Sequence, residues 1–486
     1  MLLNWVLIIG ATLATVGCAV LLSRRSSSTG SGAAASDKDF LLAGKSLSAF
    51  TAAGTLCATY WSGHAFVGSV GTGYAYGYTQ IMAGASYIPP LVFACIFMAK
   101  FLKKKADKMG SLSIAEYAAQ VHGSKAVHGL CALANACLMF VLLITQFSAL
   151  GTLLSPILGI DGSWIVVIIG GICIVYTMYG GLKTVAYSDI IMAVGMTIGA
   201  AICLIYVFKN TSLGELTSAL NAVDPELVNP SSGAPYGSMK YGALLIMPYA
   251  LFGLISMPYT ATRFLSVKND IKWWKFGAWC CVFAMFWEVL PFVGNYIRAF
   301  GPVPGKPDDA MAIFLSTYMN PFFSAFVAVF IMMAIRSTVD SVLQSISSSI
   351  SYDLRKIFVG EMSVEKSMKI NRAVVCIVGV VGICLNFFNH PSFLVFLGTL
   401  GSGTLSAIMF GPIFISTFWQ GNKYGAIASM IGGGLVCGYG LASGAMMWTV
   451  APLMGDLVAA VLYVVVSMAT FKICPRAEFK SAIVGG

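Results

Sequence analysis

Apolar runs of about 20 residues, each long enough to cross a bilayer as a helix, recur along the chain at roughly 3–23, 47–73, 78–101, 127–155, 163–181, 187–208, 241–262, 274–299, 320–351, 373–388, 391–418, 424–443 and 448–471. The pattern predicts an all-α polytopic membrane protein of about thirteen transmembrane helices. Two runs are interrupted by small and hydroxyl residues. The second contains Gly54-Thr55-Leu56-Cys57-Ala58-Thr59-Tyr60-Trp61-Ser62-Gly63-His64, then Gly68, Gly71 and Gly73, and the seventh contains Phe252-Gly253-Leu254-Ile255-Ser256-Met257-Pro258. Both read as broken helices, whose freed carbonyls are tolerated at membrane depth only against protein, a ligand or cavity water. Breaks five helices apart suggest an inverted repeat with its site between the halves. A glycine-rich face for a close neighbour is the alternative for the first.

Polar positions inside hydrocarbon carry the chemistry. Ala334-Ile335-Arg336-Ser337-Thr338-Val339-Asp340-Ser341 sets two charges and three hydroxyls in an otherwise apolar helix, and charge at that depth marks function more often than packing. At the helical period Ala334, Ser337, Thr338, Ser341 and Ser345 share one face with Asp340 at its flank. Such a face offers hard oxygen ligands to a small cation, while interhelical hydrogen bonding alone would not call for a carboxylate. Asp189, at the start of the sixth run, is either a hydrated interfacial acid or a partner of Ser337, Asp340 and Ser341 in a second cation site. Arg336, one helical turn before Asp340, could neutralise it.

Composition agrees: of 486 residues, 58% are hydrophobic and 10% charged. Lysines and arginines fall in alternate loops: Arg24, Arg25, Lys38 and Lys45; Lys100, Lys103, Lys104, Lys105 and Lys108; Lys183; Arg263, Lys268, Lys272 and Lys275; Arg355, Lys356, Lys366, Lys369 and Arg372; Lys423; Lys472, Arg476 and Lys480. By the positive-inside rule the N-terminus is outside and the C-terminus cytoplasmic, in a plasma (inner) membrane. The net charge of +10 lies mostly in these loops and needs no nucleic-acid partner. No basic residue precedes the first run, so it reads as a span rather than a cleaved signal peptide. The 13 cysteines form no C-x-x-C and no cluster with histidine, which argues against a disulfide framework or a metal centre. Residues 26–37 read as a linker and 221–237 as an external loop.

In order and spacing these features resemble the sodium/solute symporter family. Leu42-Ala43-Gly44-Lys45-Ser46-Leu47 looks like the segment before its first core helix, Ala58 to Gly63 like the break in that helix, Tyr179-Gly180-Gly181-Leu182 like the turn before the fifth core helix, and Ser337-Thr338 like the Ser-Thr pair of the eighth. The resemblance spans essentially the whole chain. It implies an extra helix and linker over 1–45, inverted repeats over 46–208 and 238–418, and two further helices and a tail over 419–486. It also implies a symporter working by alternating access, not an enzyme, whose partners are a small solute, sodium ions and the bilayer, with no obligate protein partner evident.

Carried over residue by residue, the resemblance places one sodium ion between the carbonyls of Ala58, Trp61 and Ala334 and the hydroxyls of Ser337 and Thr338. A second site, found in some members, would use Asp189, Ser337, Asp340 and Ser341. Tyr60, Ala250 and Leu254 stand where sodium/proline symporters carry an aspartate, a tryptophan and a tyrosine, which disfavours proline. The segments Ala58-Thr59-Tyr60-Trp61-Ser62, Phe66-Val67-Gly68, Gln146-Phe147 and Met257-Pro258-Tyr259-Thr260-Ala261-Thr262-Arg263 look more like the sodium/pantothenate symporters, implying a small organic carboxylate. A half-helix starting near Ser62 to His64 could receive it, with Tyr60, Ser62, His64, Gln80, Gln146 and Phe252 as candidate solute contacts. Glu288 reads as a gating or pairing acid. An aspartyl protease dyad of Asp189 and Asp340 is disfavoured by the residues around them, and an uncoupled channel by the lack of a filter motif.

Overall fold

The computed structural model describes residues 2–27, 37–62, 66–236, 239–388 and 394–477. Its membrane-length helices and half-helices are, in chain order, α1 (Leu2–Ser27), α2 (Ala49–Trp61), α3 (Gly68–Tyr76), α4 (Tyr78–Met109), α5 (Lys125–Leu158), α6 (Gly171–Asn210), α7 (Ile246–Ser256), α8 (Pro258–Leu265), α9 (Trp273–Phe300), α10 (Pro321–Phe358), α11 (Val364–Phe388), α12 (Gly398–Phe418), α13 (Lys423–Ala442) and α14 (Val450–Thr470). By length and composition, nine helices among the described residues can cross a membrane, or ten with the bent α7–α8 pair. Thirteen is not reached this way, for a physical reason. The second expected span is two short halves, α2 and α3, and the fifth runs on into the sixth across Gly181, whose φ of 59° kinks α6. That left-handed backbone favours glycine.

Both interruptions are built locally. Ser48 starts α2 by accepting from the Thr51 amide, and the helix ends at Trp61, followed by Ser62 at φ 48°, ψ −162°. The seventh run breaks at Met257 (φ −75°, ψ 124°), because Pro258 disfavours a helical residue before it and opens α8 at a bend of 64°. Thr260 Oγ1 then donates to the Leu254 and Met257 carbonyls at 3.0 and 2.9 Å, so this break is satisfied within its own chain segment.

α10 is the central post, packed against α2, α5, α6 and α11. Asn320 caps it and Pro321 occupies its first turn. Every residue from Ala334 to Ser341 is buried, an all-round burial that only a helix enclosed by others can have. Half-helix α3 lies against the second part of α9, beyond the turn at Val289 and Leu290. The approach is close: a Cβ on Gly294 would stand 2.0 Å from the Val70 carbonyl oxygen and 2.7 Å from the Tyr74 amide nitrogen.

A methyl at Gly294 therefore meets backbone that cannot rotate away. Gly294→Ala is expected to destabilise the protein by about 1–3 kcal/mol, read as a lower midpoint in detergent unfolding. Gly171→Ala, whose added methyl meets no atom within 4 Å, should be neutral or stabilising, since alanine is the better helix former.

Candidate functional site

Where α2 ends, α10 supplies hydroxyls. Ser337 Oγ stands 2.8 Å from the Ala58 carbonyl oxygen and 2.8 Å from that of Ala334, and Thr338 Oγ1 donates to the Thr59 carbonyl at 3.2 Å. Trp61 is the last helical residue of α2. Ala58, Ala334 and Ser337 are fully buried. One hydroxyl in reach of two carbonyls from different helices makes a compact cluster of neutral oxygens, the donor set a small hard cation takes. Of the residues assigned to the first sodium, the structure brings Ala58, Ala334 and Ser337 into direct contact, with Thr338 one carbonyl along.

The second proposed set divides between two arginines. Asp189 Oδ2 accepts from Thr55 Oγ1 at 2.6 Å and lies 3.5 Å from Thr59 Oγ1 and 3.9 Å from Arg263 Nη2. The same guanidinium nitrogen donates to Ser341 Oγ and, at 3.2 Å, to Thr59 Oγ1, while Nη1 holds the Tyr259 carbonyl. Thr59 and Ser341 hydroxyls are 2.9 Å apart. Asp340 turns to the other side of α10, where Oδ1 accepts from Thr177 Oγ1 at 3.2 Å and Oδ2 faces Arg336 Nε at 3.6 Å. Arg336 also lies 5.2 Å from the Tyr176 ring centroid and reaches the Thr12 carbonyl. Asp189 and Ser341 thus meet around Arg263, and no hydrogen bond joins Asp340 to Ser337, Ser341 or Asp189 among the described residues. Arg263 was counted with the loop cations in the sequence. The eight-residue α8 instead carries it inside the bundle, 1% exposed.

A cavity of about 300 Å³ lies beside the break, bounded among others by Tyr60, Trp61, Ser62, Gln80, Gln146 and Glu288. Four of the expected solute contacts, Tyr60, Ser62, Gln80 and Gln146, line it. Gln80 is already engaged, its Oε1 accepting from the Tyr236 hydroxyl. Phe252 does not line it. That ring packs 4.8 and 5.2 Å from the rings of Phe410 and Phe414 on α12, because α7 turns this face to a neighbouring helix. His64 lies outside the described residues. The half-helix begins at Gly68 rather than near Ser62 to His64, and it is Gly68 and Ser69 that reach the cavity. Glu288, unplaced by sequence, is 5% exposed on the cavity wall, and its Oε1 accepts from the Trp61 indole N–H.

The cavity's far rim contains Asp308, Asp309 and Trp448, in connections at the opposite end of the bundle from the basic loops. On the basic side the space is about 30 Å³. There His128 Nε2 meets Asp353 Oδ1 at 2.8 Å, Lys356 Nζ meets Glu116 Oε1 at 2.9 Å, and Arg355 lies 3.7 Å from Asp37. The larger space thus lies towards the acidic rim and the smaller one towards the basic loops.

Comparisons with known proteins place this geometry. The chain is 24% identical over 420 residues to the sodium/pantothenate symporter of Escherichia coli (strain K12), covering 82% of this chain and 83% of that one. It is 30% identical over 234 residues to high-affinity choline transporter 1 of Drosophila melanogaster, covering 48% and 36% respectively. Its fold matches a substrate-bound, outward-open Na+-coupled sialic acid symporter with a TM-score of 0.79 at 18% identity, covering 98% of this chain and 99% of that one. All three are transporters rather than enzymes, and the first and third are sodium-coupled. With residues 40–433 matching the family's profile, the chain belongs to the sodium:solute symporter family.

Proposed function

We propose that this protein imports a small organic solute across the plasma membrane together with sodium, by alternating access, with its N-terminus outside and its C-terminus in the cytoplasm. The inverted repeats over 46–208 and 238–418 would move against each other around the site. One arrangement supports this above all: Ser337 Oγ sits 2.8 Å from carbonyls of both the broken α2 and the continuous α10. An ion held by Ala58, Trp61, Ala334, Ser337 and Thr338 would tie the two together. It would thereby favour the state in which the cavity faces the side away from the basic loops, since a ligand shifts an equilibrium only by its differential affinity for the two states.

One sodium per cycle fits the two arginines. Arg263 fills the space between Asp189, Thr59 and Ser341, and Arg336 faces Asp340, so each carboxylate has a fixed cation where a second ion would otherwise be required. The solute would occupy the 300 Å³ cavity. Its charge is drawn in opposite directions by the relatives' names, since pantothenate carries a carboxylate and choline a quaternary ammonium. For the carboxylate stands the N-terminus of α3 at the cavity wall.

Two measurements test the ion site. Sodium titration of tryptophan fluorescence, which Trp61 reports, and uptake of labelled pantothenate or choline into proteoliposomes should share one sodium dependence. The Ser337→Ala, Thr338→Ala double variant should need about 5- to 150-fold more sodium, as oxygen ligands worth roughly 1–3 kcal/mol each are lost. An unchanged sodium dependence refutes the site.

The ion pair sets the stoichiometry. Arg336→Met and Asp340→Ser should each cost about 3–5 kcal/mol by leaving the other charge uncompensated, and the double variant should recover most of that while moving the same charge per solute. A charge-to-solute ratio that drops whenever Asp340 is removed would instead place a second ion at that carboxylate.

A further inference from the structure

Resting on the symport reading, we infer that the solute bound in the cavity is a small organic cation of the quaternary-ammonium class. Among the described residues lining the cavity, Glu288, Asp308 and Asp309 carry carboxylates and none carries an ammonium or guanidinium group. The buried Arg263 faces the small space on the basic side and is committed to Asp189, Ser341 and the Tyr259 carbonyl. An organic anion entering here would exchange its hydration for the partial positive charge of one short half-helix while facing the Glu288 carboxylate. A cation would meet that carboxylate from the favourable side.

The walls suit the same ligand. Tyr60, Trp61 and Tyr87 meet pairwise at ring-centroid separations of 5.0, 6.2 and 6.2 Å, all edge to face. Tyr249 and Trp448 stand 6.1 Å apart at 89° and also line the cavity, as does Tyr259. Several aromatic rings thus border the cavity, and an aromatic wall draws a quaternary ammonium, whose charge is spread over methyl groups and is weakly hydrated. The volume lies at the small end of ligand sites. Glu288 is held on the wall by Trp61, which donates to Oε1. A carboxyl group buried at a cavity wall carries its charge most readily when something cationic meets it. Asp308 and Asp309 at the rim add an attractive field for cations before they enter.

The experiment uses the full protein in proteoliposomes, with tryptophan fluorescence titrated by sodium chloride and then, in saturating sodium, by choline, by its neutral isostere 3,3-dimethyl-1-butanol, and by pantothenate. The inference expects a saturable choline response, with the isostere at least about tenfold weaker because it keeps the shape and loses the charge. Glu288→Gln, which retains an acceptor for Trp61, and Tyr249→Leu should each weaken choline by about tenfold, and labelled choline should accumulate with sodium. If sodium alone alters the emission but pantothenate saturates and choline does not, or if the isostere binds as tightly as choline, the inference is overturned and sodium symport stands. If sodium produces no response, the symport reading fails and the inference with it.

Discussion

No helix can be interrupted inside hydrocarbon unless its freed peptide groups find partners in the protein, and the arrangement of this chain follows from how two such interruptions are resolved. At Met257 the answer is local, a threonine hydroxyl returning to its own segment. At the end of α2 it comes from another helix, through Ser337 and Thr338. A break satisfied by itself is a bend. A break satisfied by a distant helix is a joint between the two.

Two fully buried arginines, Arg263 and Arg336, act on the same post from opposite sides. Arg263 comes from α8 and ties Thr59, Ser341 and Asp189 together; Arg336 stays on α10 and faces Asp340, Tyr176 and Thr12. Isosteric apolar side chains could pack such a core as stably. What the charges add is orientation, because a guanidinium with several fixed acceptors allows few alternative rotations of α10 relative to α2, α6 and α1.

The oxygen cluster is legible in the sequence because helical spacing brings residues three and four apart onto one face and because glycines and hydroxyls mark the break opposite. The class of the fold is legible for the same reason: hydrocarbon-length periodicity survives without any tertiary information. Three features are not. Arg263 reads as a loop cation until the length of α8 is known, since an apolar window gives no exact end. Phe252 sits in the break but faces α12, a matter of rotation about an axis that a short half-helix leaves unfixed. Glu288 acquires meaning only through Trp61, more than two hundred residues earlier, a pairing no local pattern encodes.

The contact between Val70 and Gly294 has a mechanical consequence. With no room for even a methyl group between them, half-helix α3 and the end of α9 are in backbone-to-backbone contact. A displacement of either would press directly on the backbone of the other, so any movement of half-helix α3 would engage the end of α9.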